Sequence, residues 1–60
     1  MSEFEINQRV AYIPYHAKAD IHHKDVEHGT VISKNEAYIF VRFDGEEMAK
    51  AVIRERLQRI

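Results

Sequence analysis

The sequence predicts a mainly β fold, a small barrel of five short strands with a long first loop and a short helical turn near the C-terminus. Runs rich in β-branched and aromatic residues recur along the chain, and turn residues separate them. The chain has 60 residues and no Cys, so no disulfide can stabilise its small core. An open sheet of this size leaves unpaired edges, and closing it into a barrel would remove them.

The first predicted strand covers residues 9–13, which are short and rich in β-formers. It ends at Pro14, because proline has no N–H to donate to a strand ladder and biases the preceding Ile13 away from helix.

Residues 30–33 and 37–43 form the clearest pattern in the chain, a predicted hairpin. A polar segment containing Asn35 separates the two runs, and Asp44-Gly45 marks the next reversal. Side chains alternate between the two faces of a strand, so Ile39, Val41 and Phe43 share one face. We expect these three in the core. The residues expected on the opposite face are Tyr38, Phe40 and Arg42.

Residues 46–60 allow two interpretations. Ala49, Val52, Ile53, Leu57 and Ile60 lie close to helical spacing, so the alternative fold is α+β, a hairpin sheet with a C-terminal helix. The preferred interpretation is a fourth strand over 48–53, a helical turn over 54–57 and a short final strand over 58–60, since these elements can close a barrel.

Residues 15–28 form the predicted long loop, which contains all four His and neither Gly nor Pro. Asp and His side chains can satisfy the backbone groups of such a loop, so we expect a loop held together by its own polar groups, with no metal and no cofactor. His and carboxylates are nevertheless good ligands for transition metals. The candidate ligands are His16, His22, His23, Asp25 and His28.

Composition describes a single domain, residues 1–60, with a net charge of −1. The longest apolar run, residues 37–41, is far shorter than the roughly 20 residues of a membrane-spanning helix. The first residues are acidic and lack the pattern of a targeting segment, so we expect a cytoplasmic protein. Ser2 and Ser33 are the only serines, and neither pairs with a His in a catalytic pattern. We therefore predict no enzymatic activity and no catalytic residues.

The order of strand, long polar loop, Gly29-x-Val31, hairpin, strand and helical turn resembles the Src-homology-3-like barrels, including Tudor and KOW domains. The chain also resembles a set of small uncharacterised proteins encoded by bacteriophages and prophages, over residues 10–57. It departs from their pattern at Ala19, where a Gly before the Asp is usual. The resemblance implies the barrel fold and a phage or prophage origin, and it brings no activity. The matching residues are Tyr12-Ile13-Pro14, His16-Ala17, Asp20, His23, Asp25, Glu27, Gly29, Val31, Phe40-Val41 and Phe43.

We predict a non-enzymatic interaction module that binds a host or phage protein in a bacterial cytoplasm, since small barrels bind peptides in grooves lined with aromatic residues. The alternative is nucleic-acid binding by the basic C-terminal stretch. Self-association through an edge strand is left open. The candidate partner-binding residues are Tyr15, Tyr38, Arg42, Lys50, Arg54 and Arg56.

Overall fold

The computed structural model describes residues 4–60 as five strands and two single-turn 3₁₀ helices. The mainly β prediction is confirmed. With only these single turns, residues 4–60 contain no helix long and apolar enough to cross a membrane. The strands are β1 (Arg9–Tyr12), β2 (Glu27–Lys34), β3 (Ile39–Phe43), β4 (Lys50–Val52) and β5 (Leu57–Arg59). The 3₁₀ helices are Tyr15–Ala17 and Arg54–Arg56.

The five strands form one antiparallel sheet with the order β4-β3-β2-β1-β5. The sheet is open, so the predicted closure into a barrel is not present: β4 pairs with β3, β5 pairs with β1, and the two edges do not join. Each edge strand has only three residues, which leaves little ladder to close the sheet.

The short connection between the edge strands nevertheless requires strong curvature. Residues 53–56 join β4 to β5 and can span at most about 17 Å. The outer strands of a flat five-stranded sheet lie about 19 Å apart. Part of the connection is also coiled into a 3₁₀ turn, which shortens its reach further. The sheet must therefore curl and enclose the core on one face.

The core lies on the face predicted from the alternation in β3. Ile39, Val41 and Phe43 are all buried, as predicted, and Val41 stands directly opposite Val31 of β2. Each large apolar side chain buried in this way contributes about 1.5–3 kcal/mol. The whole cluster comprises Phe4, Val10, Val31, Ile39, Val41, Phe43 and Leu57, with Tyr12 and Val52 packed against it.

The C-terminal segment is a strand, a 3₁₀ turn and a strand, as preferred from the sequence, although each element is displaced by one or two residues from its predicted bounds. The alternative of a C-terminal helix is wrong. Val52 and Leu57 pack on the core through strand geometry, whereas Ile53 and Ile60 of the helical pattern are exposed. Tertiary pairing with β3 and β1 overrides local helix propensity.

Strand β2 begins three residues earlier than predicted, at Glu27, because it pairs with the whole of β1. Tyr12 stands opposite Glu27, and Arg9 stands opposite Thr30. The first loop therefore covers residues 13–26, and His28 belongs to a strand. The predicted range of 15–28 is corrected accordingly.

Candidate functional site

The loop between β1 and β2 reverses direction at two residues in the left-handed region. Lys18 has φ 53° and Ala19 has φ 65°. The amide of Asp20 donates to the carbonyl of Ala17 at 3.0 Å and closes the reversal. Ala19 is the position at which the sequence departs from a Gly, and the chain makes the tight turn with alanine in place. A Cβ in this conformation costs about 1–2 kcal/mol.

Side chains of the loop satisfy its own backbone, which is the arrangement that the sequence predicts. The Asp20 carboxylate accepts a hydrogen bond from the amide of His22 at 3.0 Å. Nδ1 of His23 accepts one from the amide of Asp25, also at 3.0 Å. Such local bonds hold a chain that has no ladder partners.

His16, His23 and Asp25 converge at the centre of this loop. Nε2 of His16 lies 2.7 Å from Oδ2 of Asp25, and Nδ1 of His23 lies 4.0 Å from the same oxygen. The two imidazole rings meet edge to face, with centroids 5.3 Å apart. The side chains of His16, His23 and Asp25 are 62%, 28% and 47% exposed, so the cluster opens to solvent. One donor atom from each residue lies within 4.8 Å of the others.

The other two candidate ligands are placed elsewhere. His22 is exposed and offers its amide, rather than its ring, to Asp20. His28 lies in β2 opposite Ala11 and close enough to Asp44 to influence that carboxylate. Three of the five residues singled out from the sequence are thus brought together, and two are not.

An open cleft of about 390 Å³ lies beside the cluster. His16 and Asp25 form part of its wall, together with the apolar ring of Pro14. Sequence patterns did not indicate most of this lining, because its residues come from β1, the loop and the start of β2. The full lining is Tyr12, Pro14, His16, Lys24, Asp25 and Glu27.

Tyr15 is the most exposed large apolar side chain among the described residues, at 82%. The guanidinium of Arg56 lies 5.3 Å from the centre of its ring, a cation–π contact between the first loop and the second 3₁₀ turn. Pro14 and His16, its neighbours in sequence, both line the cleft. Two predicted partner-binding residues, Tyr15 and Arg56, therefore form one exposed pair.

The remaining candidates are dispersed. Lys50 of β4 pairs with Glu46 at 3.0 Å. Arg54 donates to the backbone carbonyls of Asn35 and Glu36 at the tip of the β2–β3 hairpin. Tyr38 lies at that tip, and Arg42 is exposed on β3. These residues do not share one surface with Tyr15.

The structure also contains an ion pair that the sequence analysis did not single out. Arg9 of β1 donates two hydrogen bonds to the carboxylate of Asp44, at 2.8 and 2.7 Å. This bidentate hydrogen bonding lowers the pKa of Asp44, and the nearby charges of Arg9, His28 and Arg42 act in the same direction. No local signal could have found a pair so distant in sequence.

No protein-family model, curated protein or solved structure matches the chain. The function is accordingly argued from the loop, the cleft and the exposed Tyr15–Arg56 pair.

Proposed function

We propose that this domain is a non-enzymatic binding module that takes an extended segment of a partner protein along the first loop. The observation that carries the proposal is the exposed Tyr15 ring, held against Arg56 and flanked in sequence by two residues of the open cleft. Tyrosine and arginine are the side chains most often found at the energetic centre of protein interfaces.

The chemistry of the cleft indicates what the segment would carry. Tyr12 and Pro14 provide an apolar wall, and Asp25 and Glu27 provide carboxylates. An apolar side chain next to a Lys or Arg fits this combination. The cleft lining contains no Ser or Thr that could act as a nucleophile, which supports binding over catalysis.

The proposal includes a Src-homology-3-like fold, supported by the strand order β4-β3-β2-β1-β5, the long first loop and the 3₁₀ turn before the last strand. The sequence resemblance to phage and prophage proteins supports a bacterial host cytoplasm as the setting. The partner is then a host or phage protein.

The test is selection of peptides from a random library on the immobilised domain, followed by titration of the selected peptides into ¹⁵N-labelled protein. We expect amide shifts at residues 12–16, 24–27 and 56. Tyr15→Ala should weaken binding at least tenfold, since loss of a central aromatic costs more than about 1.4 kcal/mol. Tyr38→Ala, at a second exposed tyrosine, is the matched control and should change affinity less than twofold.

Circular dichroism of both variants would establish that each is folded. The proposal fails if the selected peptides shift residues outside the loop and the second 3₁₀ turn, or if Tyr15→Ala binds as well as the wild type. It also fails if the selection yields no peptide that binds.

Nucleic-acid binding is the competing proposal, and the basic residues support it less well. Lys50 pairs with an acid, and Arg54 is engaged by backbone carbonyls. Electrophoretic shifts with labelled single- and double-stranded DNA and RNA at low salt separate the two proposals. Binding that weakens steeply with salt would favour nucleic acid.

A further inference from the structure

We propose that His16, His23 and Asp25 bind a divalent transition-metal ion, and that the ion is Zn²⁺. Two imidazole nitrogens and one carboxylate oxygen form a donor set that suits zinc. The inference is independent of the proposed peptide binding, because it concerns the free domain and the metal alone.

The distances fit a tetrahedral ion after small movements. Ligands about 2.0–2.1 Å from a tetrahedral zinc ion lie roughly 3.4 Å from one another. The two distances from Oδ2 of Asp25, 2.7 Å to His16 and 4.0 Å to His23, fall on either side of that value. Displacements below about 1 Å at exposed side chains would therefore form the site, without change in the backbone.

Metal binding would replace contacts that the cluster now makes. The ion would take the place of the proton shared between His16 and Asp25. It would also compete for the Nδ1 lone pair of His23, which currently accepts the Asp25 amide. The Asp25 amide should therefore report binding directly.

The ion would cross-link parts of the loop that are now joined by few bonds. His16 follows β1 in the first 3₁₀ turn, whereas His23 and Asp25 precede β2, and the strained reversal at Lys18 and Ala19 lies between them. Three protein ligands leave a coordination position for water. Because His16 and Asp25 line the cleft, that position would lie at the cleft wall.

The chain offers its own matched controls, since His22 and His28 lie outside the cluster. Titration of ZnCl₂ into tag-free protein by calorimetry should give one site. We expect His16→Ala, His23→Ala and Asp25→Asn each to weaken binding at least tenfold. We expect His22→Ala and His28→Ala to bind within twofold of the wild type.

Spectra of ¹⁵N-labelled wild-type protein provide a test that requires no variant to fold. Zn²⁺ should shift the ring signals of His16 and His23 and the Asp25 amide, and EDTA should reverse the shifts. The proposal is overturned if no binding is detected at millimolar Zn²⁺. It is equally overturned if the shifts centre on His22 or His28, or if the control variants lose as much affinity as the cluster variants.

Discussion

Replacement of Gly29 by alanine would test the packing between β2 and β3. Gly29 stands opposite Val10 of β1 on one side and Phe43 of β3 on the other. A Cβ at this position would lie 2.6 Å from Cγ1 of Val41 and 2.7 Å from the carbonyl oxygen of Arg42. Carbon atoms normally approach to about 3.5–4.0 Å, so the new methyl group would overlap Val41 by about 1 Å.

Neither neighbour can move away cheaply. Val41 is completely buried, and the Arg42 oxygen belongs to the backbone of β3. Overpacking of this kind costs about 1–3 kcal/mol. Removal of a glycine from a strand returns about 0.5–1 kcal/mol. We expect a net loss of about 2 kcal/mol, against a total stability of about 3–5 kcal/mol for a domain of this size.

The assay is urea unfolding followed by far-ultraviolet circular dichroism, because the chain has no Trp to serve as a fluorescent probe. A loss of about 2 kcal/mol corresponds to a fall of about 15 °C in Tm. Ser33→Ala on the exposed face of the same strand is the control and should stay within about 0.5 kcal/mol of the wild type. If Gly29→Ala is as stable as this control, the close approach of the two strands is refuted.

Three further predictions concern stability. Ile39→Ala should cost about 2–5 kcal/mol in urea unfolding, while Ile32→Ala, at a half-exposed isoleucine, should cost clearly less; equal losses would contradict the core assignment. Asp44→Asn should destabilise the protein near neutral pH. Since hydrogen bonding lowers the pKa of Asp44 in the folded state, that stabilisation is complete above the unfolded value of about 3.9 and is lost as the pH falls through the folded value, so the two proteins should converge in acid; a pH-independent difference would contradict this. Ala19→Gly should raise Tm and Gly45→Ala should lower it, because both positions have positive φ; the opposite signs would contradict the assigned turn geometry.

Local signals were sufficient for the centre of the fold. The alternation in β3 and the Asp44-Gly45 turn indicated both the strand and its buried face, and the structure places Ile39 in the core as expected. Gly45 has φ 87°, a conformation that glycine adopts without strain. Here residues adjacent in sequence carry the information.

Long-range pairing was the part that could not be predicted. The early start of β2 depends on β1, and the open edges depend on how far β4 and β5 extend. The convergence of His16 with Asp25 depends on the reversal at Ala19, for which the usual signal, a glycine, is missing from the sequence. Spacing alone therefore indicated the residue types of the cluster, and it could not separate His23 from His22.

The pairing of β5 with β1 has a consequence for the order of folding. Lys34 and Ile39 meet across the short turn of residues 35–38, whereas Tyr12 and Leu57 meet only after roughly 45 residues have been brought together. Closing a loop about nine times longer costs about 2 kcal/mol more in chain entropy. We therefore expect the β2–β3 hairpin to form in the transition state and β5 to dock after it. Substitutions in the hairpin would then slow folding, while those in the last strand would accelerate unfolding.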